Sequence, residues 1–147
     1  MTELTATQST VSRSFWIISV VALLWNLIGV SSYIMNVTMS EAALAALPEA
    51  EQALYTNVPT LVTSAFAIAV FGGLLGCVLL LMQKSLAYPV FIVSLVAIAI
   101  QAGYNLFMSS ALEVLGPTAA ILPLLIVTIG AYLVWFSSNA KKKGVLN

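Results

Sequence analysis

The chain of 147 residues contains no histidine, one cysteine and few charges, with Lys, Arg, Asp and Glu together making up 7% of it. Each shortage removes a class of chemistry. Without histidine there is neither the commonest transition-metal ligand nor the usual proton shuttle at neutral pH. A lone cysteine, Cys77, cannot close an internal disulfide or build a cysteine metal site. A formal net charge of zero gives no electrostatic ground for a nucleic-acid partner. The sequence holds no Ser/His/Asp set, no phosphate-binding loop and no carboxylates with metal-ligand partners beside them. No catalytic residue, metal or cofactor is therefore expected, and the chain reads as something other than an enzyme.

What it has in abundance is apolar sequence. Hydrophobic residues make up 61% of the chain, more than one water-soluble core could absorb without exposing large patches. They fall into four long runs, at about 14–36, 60–82, 89–108 and 119–138, each long enough to cross a ~30 Å hydrocarbon layer. The first run is about twice the length of a signal-peptide core and lacks a clean small-x-small cleavage site, so it reads as a retained spanning helix. With short connections everywhere except between runs one and two, the expected fold is all-α, an up-down four-helix bundle in the membrane.

The few charges are sorted. Arg13 precedes run one, Lys84 separates runs two and three, and Lys141, Lys142 and Lys143 follow run four. Glu41, Glu49 and Glu51 lie between runs one and two and Glu113 between three and four, leaving Glu3 as the exception. Lys and Arg favour cytoplasmic loops, so both termini are expected in the cytoplasm: residues 1–13 as one tail, 139–147 as a basic one touching anionic lipid. The loop 37–59 is patterned. Ser40 can cap a short helix with Glu41 in its first turn, and Pro48 suits the start of a second with Glu49 and Glu51. One or two helices lying on the outer membrane surface are expected there. Gly116-Pro117 marks the turn before run four.

No Asp, Glu, Lys, Arg or His falls inside a predicted span. Proton-coupled carriers need a titratable group at membrane depth. Small four-helix multidrug exporters carry a Glu in the first helix, where this chain has Asn26. Proton-driven antiport is therefore disfavoured. The neutral polar residues are unevenly placed. At ~1.5 Å per residue, Asn26 and Gln101 both stand about 18 Å from the inner ends of their helices, with Thr128 at a similar level. Asn26, Gly29 and Tyr33 share one face of the first helix, and Ser94, Gln101, Tyr104 and Asn105 crowd one side of the third. Two readings are open. Asn26, Gln101, Asn105 and Thr128 could bind solute hydroxyls, with Trp25, Tyr33 and Tyr104 covering a sugar-like ring. Alternatively the amides are glue between helices, Asn26 bonding Gln101 or a backbone carbonyl. On helix two, Ala65, Ala69, Gly72, Gly73 and Gly76 form a stripe of small residues that lets another backbone approach closely, within the chain or in a homodimer. Cys77, beside it, reads as a small hydrophobe.

Trp25-Asn26-Leu27-Ile28-Gly29 with Tyr33, Leu47-Pro48-Glu49-Ala50-Glu51, and the segment from Phe66 to Gly76 resemble a small bacterial four-span membrane family commonly labelled sugar-transporter-like. The resemblance runs over most of residues 14–138 and implies a four-span fold in the bacterial cytoplasmic (inner) membrane and a transport role. The Pro-Gln signature of the three-helix half-size sugar carriers is absent. Two functions fit the sequence: a transporter for a small neutral, sugar-like solute without proton coupling, and a structural or accessory subunit that binds lipids or a membrane-protein partner.

Overall fold

Ser12 starts the first helix by accepting a hydrogen bond from the Phe15 N–H, 3.2 Å, so one of the free N–H groups at the helix start is satisfied. The structure is a computed structural model that describes residues 11–147. The first ten residues of the expected N-terminal tail, Glu3 among them, lie outside the described residues. The described residues are all-helical, without strands. Long helix α1 spans Arg13–Val37 and is followed by two short helices, α2 (Glu41–Ala45) and α3 (Glu49–Thr56). Long helices α4 (Thr60–Leu81) and α5 (Ala87–Gly103) come next, then a π-helical turn at Tyr104–Met108 and a short α6 (Ala111–Leu115). A 3₁₀ turn at Pro117–Ala120 leads into long α7, Ile121–Lys142. Four of these stretches are long and apolar enough to cross a membrane: Arg13–Val37, Thr60–Leu81, Ala87–Met108 and Pro117–Lys142.

The local signals in the loop work as the sequence implies. Ser40 Oγ accepts from the Ala43 N–H at 3.1 Å, and Pro48 is the N-cap residue of α3 with Glu49 and Glu51 in the first turn. Gly116 takes φ +80° and ψ −178°, a backbone state that side chains with a Cβ rarely enter. The short α6 is a feature that the sequence reading treats as plain loop.

The helices pack in sequence. α4 lies against both α1 and α5, and α5 against α7. The small-residue stripe makes the first two contacts possible. A Cβ on Gly76 would stand 2.6 Å from the Phe91 ring, one on Gly72 would stand 3.3 Å from Ser94 Cβ, and one on Gly73 would collide with the Asn26 side-chain amide. Ala65 and Ala69 are buried with Ala97 of α5. The stripe expected to serve either the chain itself or a dimer is thus occupied within the chain, on two sides of one helix. Across the seam, Ser94 Oγ donates to the Ala69 carbonyl at 2.7 Å, a helix-to-helix bond of about 1 kcal/mol by membrane-protein precedent.

At one end, the contacts gather the start of α1, the α4–α5 turn and the end of α7. Phe15 stacks on Phe136 with ring centroids 5.7 Å apart, and Lys141 Nζ stands 5.7 Å from the centre of the Tyr88 ring. Helix α7 does not stop near Ser138 but continues to Lys142, so the expected basic tail is part helix, part ordered return. Gly144 at φ +75° ends it in a Schellman arrangement, with Val145 N–H bonded to Ala140 O and Gly144 N–H to Lys141 O. The return buries Leu146, and Asn147 exchanges two backbone hydrogen bonds, both 2.8 Å, with Gln83 and Ser85 of the α4–α5 turn. That turn repeats the arrangement with Gln83 at φ +57°, a position normally given to glycine. Arg13, Lys84 and Lys141–Lys143 cluster at this basic end. The other end carries α2, α3 and α6, with Glu41, Glu49, Glu51 and Glu113.

Gly76→Ala is expected to lower stability by about 1–3 kcal/mol, because the Phe91 ring cannot retreat from a packed seam. Gly103→Ala, where an added Cβ meets nothing within 4 Å, should be neutral or slightly stabilising. Thermal unfolding of the two variants in the same detergent checks this. Gln83→Gly is expected to stabilise by about 1 kcal/mol by removing the strained φ, measured in the same assay.

Candidate functional site

Because α1 and α7 meet at their basic ends but are not packed along their length, a cleft of about 360 Å³ remains between them, floored by α4 and α5. Its wall on α5 and the π-helical turn follows helical spacing: Phe91, Ser94, Ile98, Gln101 and Asn105 recur every three or four residues on one face. Helix α1 contributes Trp25, Asn26, Gly29 and Ser32, α4 contributes Phe66, Val70 and Gly73, and α7 contributes Pro123, Ile126, Ile129 and Leu133. The surface is largely aliphatic and aromatic with a few neutral polar groups, a composition common to small-molecule sites.

Of the seven polar residues singled out in the sequence, four line this cleft: Asn26, Ser94, Gln101 and Asn105. Asn26 is not bonded to Gln101. Its Nδ2 donates to the Ala22 carbonyl at 2.9 Å, one turn back, and to Cys77 Sγ at 3.4 Å on α4. Cys77 is fully buried and thus holds Asn26 in place as well as filling space. Gln101 and Asn105, one helical turn apart, make no side-chain hydrogen bond among the described residues. Their amides remain accessible from the cleft, since no buried side-chain polar atom lacks a partner among the described residues.

The other three do not join the cluster. Tyr33 is a neighbour of the cleft, its ring edge-on to Phe66 (5.3 Å) and Phe71 (5.7 Å) on the α1–α4 seam. It buttresses Phe66 and leaves the lining to it. Tyr104, at the start of the π-helical turn, directs its hydroxyl to the Asn57 carbonyl, 3.4 Å away, and ties that turn to the chain just after α3. Thr128 is exposed on the outer surface of α7, where its hydroxyl donates to the Leu124 carbonyl at 2.8 Å. Equal depth along the bundle placed Thr128 with the amides in the sequence reading. The rotation of α7 about its axis, set by packing Ile129, Gly130 and Leu133 inward, turns it away.

The π-helical turn is the feature that the sequence reading lacked. Ser109 N–H bonds Tyr104 O at 2.8 Å, the i to i+5 pattern of a π-helix. It ends the α5 span beside Asn105, and such turns often mark functional sites. Tyr104-Asn105-Leu106-Phe107-Met108 carries no local signal for it. Among the described residues no group of three His, Cys, Asp or Glu side chains could hold a metal ion. The cleft is lined by neutral groups throughout, so its chemistry is hydrogen bonding and apolar contact.

The chain matches no family model, no curated protein and no solved structure.

The closeness of Gly73 to Asn26 predicts a coupling. Gly73→Ala alone should be destabilising, and Asn26→Ala introduced with it should recover part of the loss, with an interaction of about 1–2 kcal/mol in a double-mutant cycle of unfolding measurements.

Proposed function

We propose that this is a multi-pass membrane protein that binds a small uncharged solute in the cleft between α1 and α7 and passes it without proton coupling. The observation that carries the reading is the cleft itself, which reaches Asn26, Gln101 and Asn105 and contains no titratable side chain along its walls. Side-chain amides donate to and accept from hydroxyl or carbonyl groups, and they do so independently of pH. Sugar-like solutes are the polar limit of this class. Tyr33 and Tyr104 leave the lining to Trp25, Phe66 and Phe91, which supports solutes with more apolar surface than a sugar.

In the proposed arrangement the four long helices run up and down through the bilayer. The basic end faces the cytoplasm, both termini are on that side, and α2, α3 and α6 lie against the opposite surface. The charge sorting of Arg13, Lys84 and Lys141–Lys143 against the four loop carboxylates supports it. The residue resemblance to a bacterial four-span family supports assigning it to a bacterial cytoplasmic membrane.

A second reading, an accessory subunit, draws on the outer faces of α1 and α7. Ile17, Val21 and Leu24 on α1 and Leu124, Leu125 and Trp135 on α7 are exposed large hydrophobics that either lipid or a partner helix could cover.

Purified protein in liposomes is expected to give flux of an uncharged solute above empty liposomes. Gln101→Ala and Asn105→Ala should each cut it several-fold, and dissipating the proton gradient should leave the rate unchanged. No flux across a broad panel of sugars, polyols and small amphiphiles rejects transport, and a stoichiometric protein partner co-purifying in mild detergent establishes the accessory role instead. Reporter fusions at the two ends are expected to give the same, cytoplasmic signal; opposite signals reject the threading.

A further inference from the structure

Resting on the solute-site reading above, we infer that the cleft is built for an uncharged single-chain amphiphile, its hydroxyl- or carbonyl-bearing head at Gln101 and Asn105 and its hydrocarbon chain running toward the basic end between α1 and α7. Four observations converge on this class.

The first is shape. Lining residues extend from Phe91 on α5 to Asn105 in the π-helical turn and from Leu122 to Leu133 on α7, roughly 17–21 Å of axis at ~1.5 Å per residue. A volume of about 360 Å³ spread over that length makes the space long and narrow, the shape of an extended chain more than of a compact ring.

The second is access. Ile28 on α1 and Leu122 on α7 both line the slot, yet they are 62% and 57% exposed, so the slot opens sideways between the two helices. Phe91 and Leu133, 2% and 4% exposed, shut its deep end, and the Phe15–Phe136 stack lies beyond them. In a bilayer that side opening faces hydrocarbon, which admits an amphiphile and excludes a hydrated sugar.

The third is the distribution of polarity along the slot. Asn105, in the π-helical turn near the acidic end, and Gln101, one turn deeper, have no protein partner for their side-chain amides among the described residues. Hydrocarbon cannot satisfy them, and a hydroxyl or carbonyl at that level can. Beyond Gln101 the lining is mainly aliphatic and aromatic, with Ile98, Ile129, Leu133 and Phe91, and its polar members there, Ser94 and Asn26, already donate to Ala69 O and to Ala22 O and Cys77 Sγ.

The fourth is charge. Glu41, Glu49, Glu51 and Glu113 are the charged groups on α2, α3 and α6 at the head end, so a carboxylate or phosphate headgroup meets a repulsive field there. The slot holds no acid to pair with a cationic head. A neutral head fits both facts.

The test uses full-length protein in detergent with Trp16→Phe and Trp135→Phe, so that Trp25 in the cleft is the sole remaining indole. The probe is a monoacylglycerol brominated along its chain, which quenches indole fluorescence on contact. Saturable quenching of Trp25 is expected, reversed by unbrominated monoacylglycerol and not by hexose. Gln101→Leu combined with Asn105→Leu should weaken it by at least about tenfold, equivalent to one or two hydrogen bonds. Ile126→Trp, made with Trp25→Phe in the same background, fills the slot; the thermal midpoint should hold while brominated monoacylglycerol no longer quenches the single indole saturably. Brominated fatty acid at neutral pH should bind at least about tenfold more weakly. Displacement by hexose, or fatty acid binding as tightly as monoacylglycerol, overturns the amphiphile class and leaves the solute site standing. Absence of saturable quenching by any probe, with normal thermal unfolding, overturns both.

Discussion

Close approach on two sides of α4 is the constraint from which the rest of the structure follows. Gly73 accommodates the Asn26 amide on one side, and Gly72 and Gly76 accommodate Ser94 and the Phe91 ring on the other. In the bilayer setting proposed above, hydrocarbon would offer no hydrophobic drive to bring helices together, and association would depend on contact area and a few polar bonds. A stripe without side chains supplies the first. The Ser94–Ala69 and Asn26–Cys77 bonds supply the second. With α4 holding α1 and α5 at short range, and α5 in turn holding α7, the outer pair α1 and α7 stay apart above their stacked phenylalanines. The cleft is the space that this order of packing leaves.

The same geometry divides the polar residues into two kinds. Asn26, Ser94 and Cys77 are consumed in holding helices together, while Ser19 and Ser137 are satisfied within their own helices, their hydroxyls donating to the Phe15 and Val134 carbonyls. Gln101 and Asn105 are not consumed. In water an unpaired surface amide costs little, because solvent pairs with it. In the bilayer setting proposed above it would be a standing demand for a partner. The cleft thus has its unpaired amides near the acidic end and a mainly apolar lining below.

The basic end is built differently, and rigidly. Two Schellman turns, at Gln83 and Gly144, stop α4 and α7 at the same level, and the buried Leu146 with the paired Asn147 backbone locks one to the other.

Much of this was legible residue by residue. The four apolar runs, the Ser40 cap, the Pro48 start, the Gly116 turn and the closeness implied by Gly72, Gly73 and Gly76 are local properties, decided by propensity, capping chemistry and side-chain volume within a few residues. So is the sorting of lysines from glutamates. Which face each helix presents to its neighbours is not local. Asn26, Gln101 and Thr128 stand at the same depth by counting, but only the rotation of α5 and α7 shows that Gln101 looks into a cleft and Thr128 looks out. Tyr33 and Tyr104 share helical faces with the amides, yet side-chain reach takes one to Phe66 and the other to Asn57. The π-helical turn is invisible in composition because it arises where α5 must end against α6. Helix existence depends on neighbours in sequence. A cavity depends on what fails to touch, and that is set when all four helices are packed together.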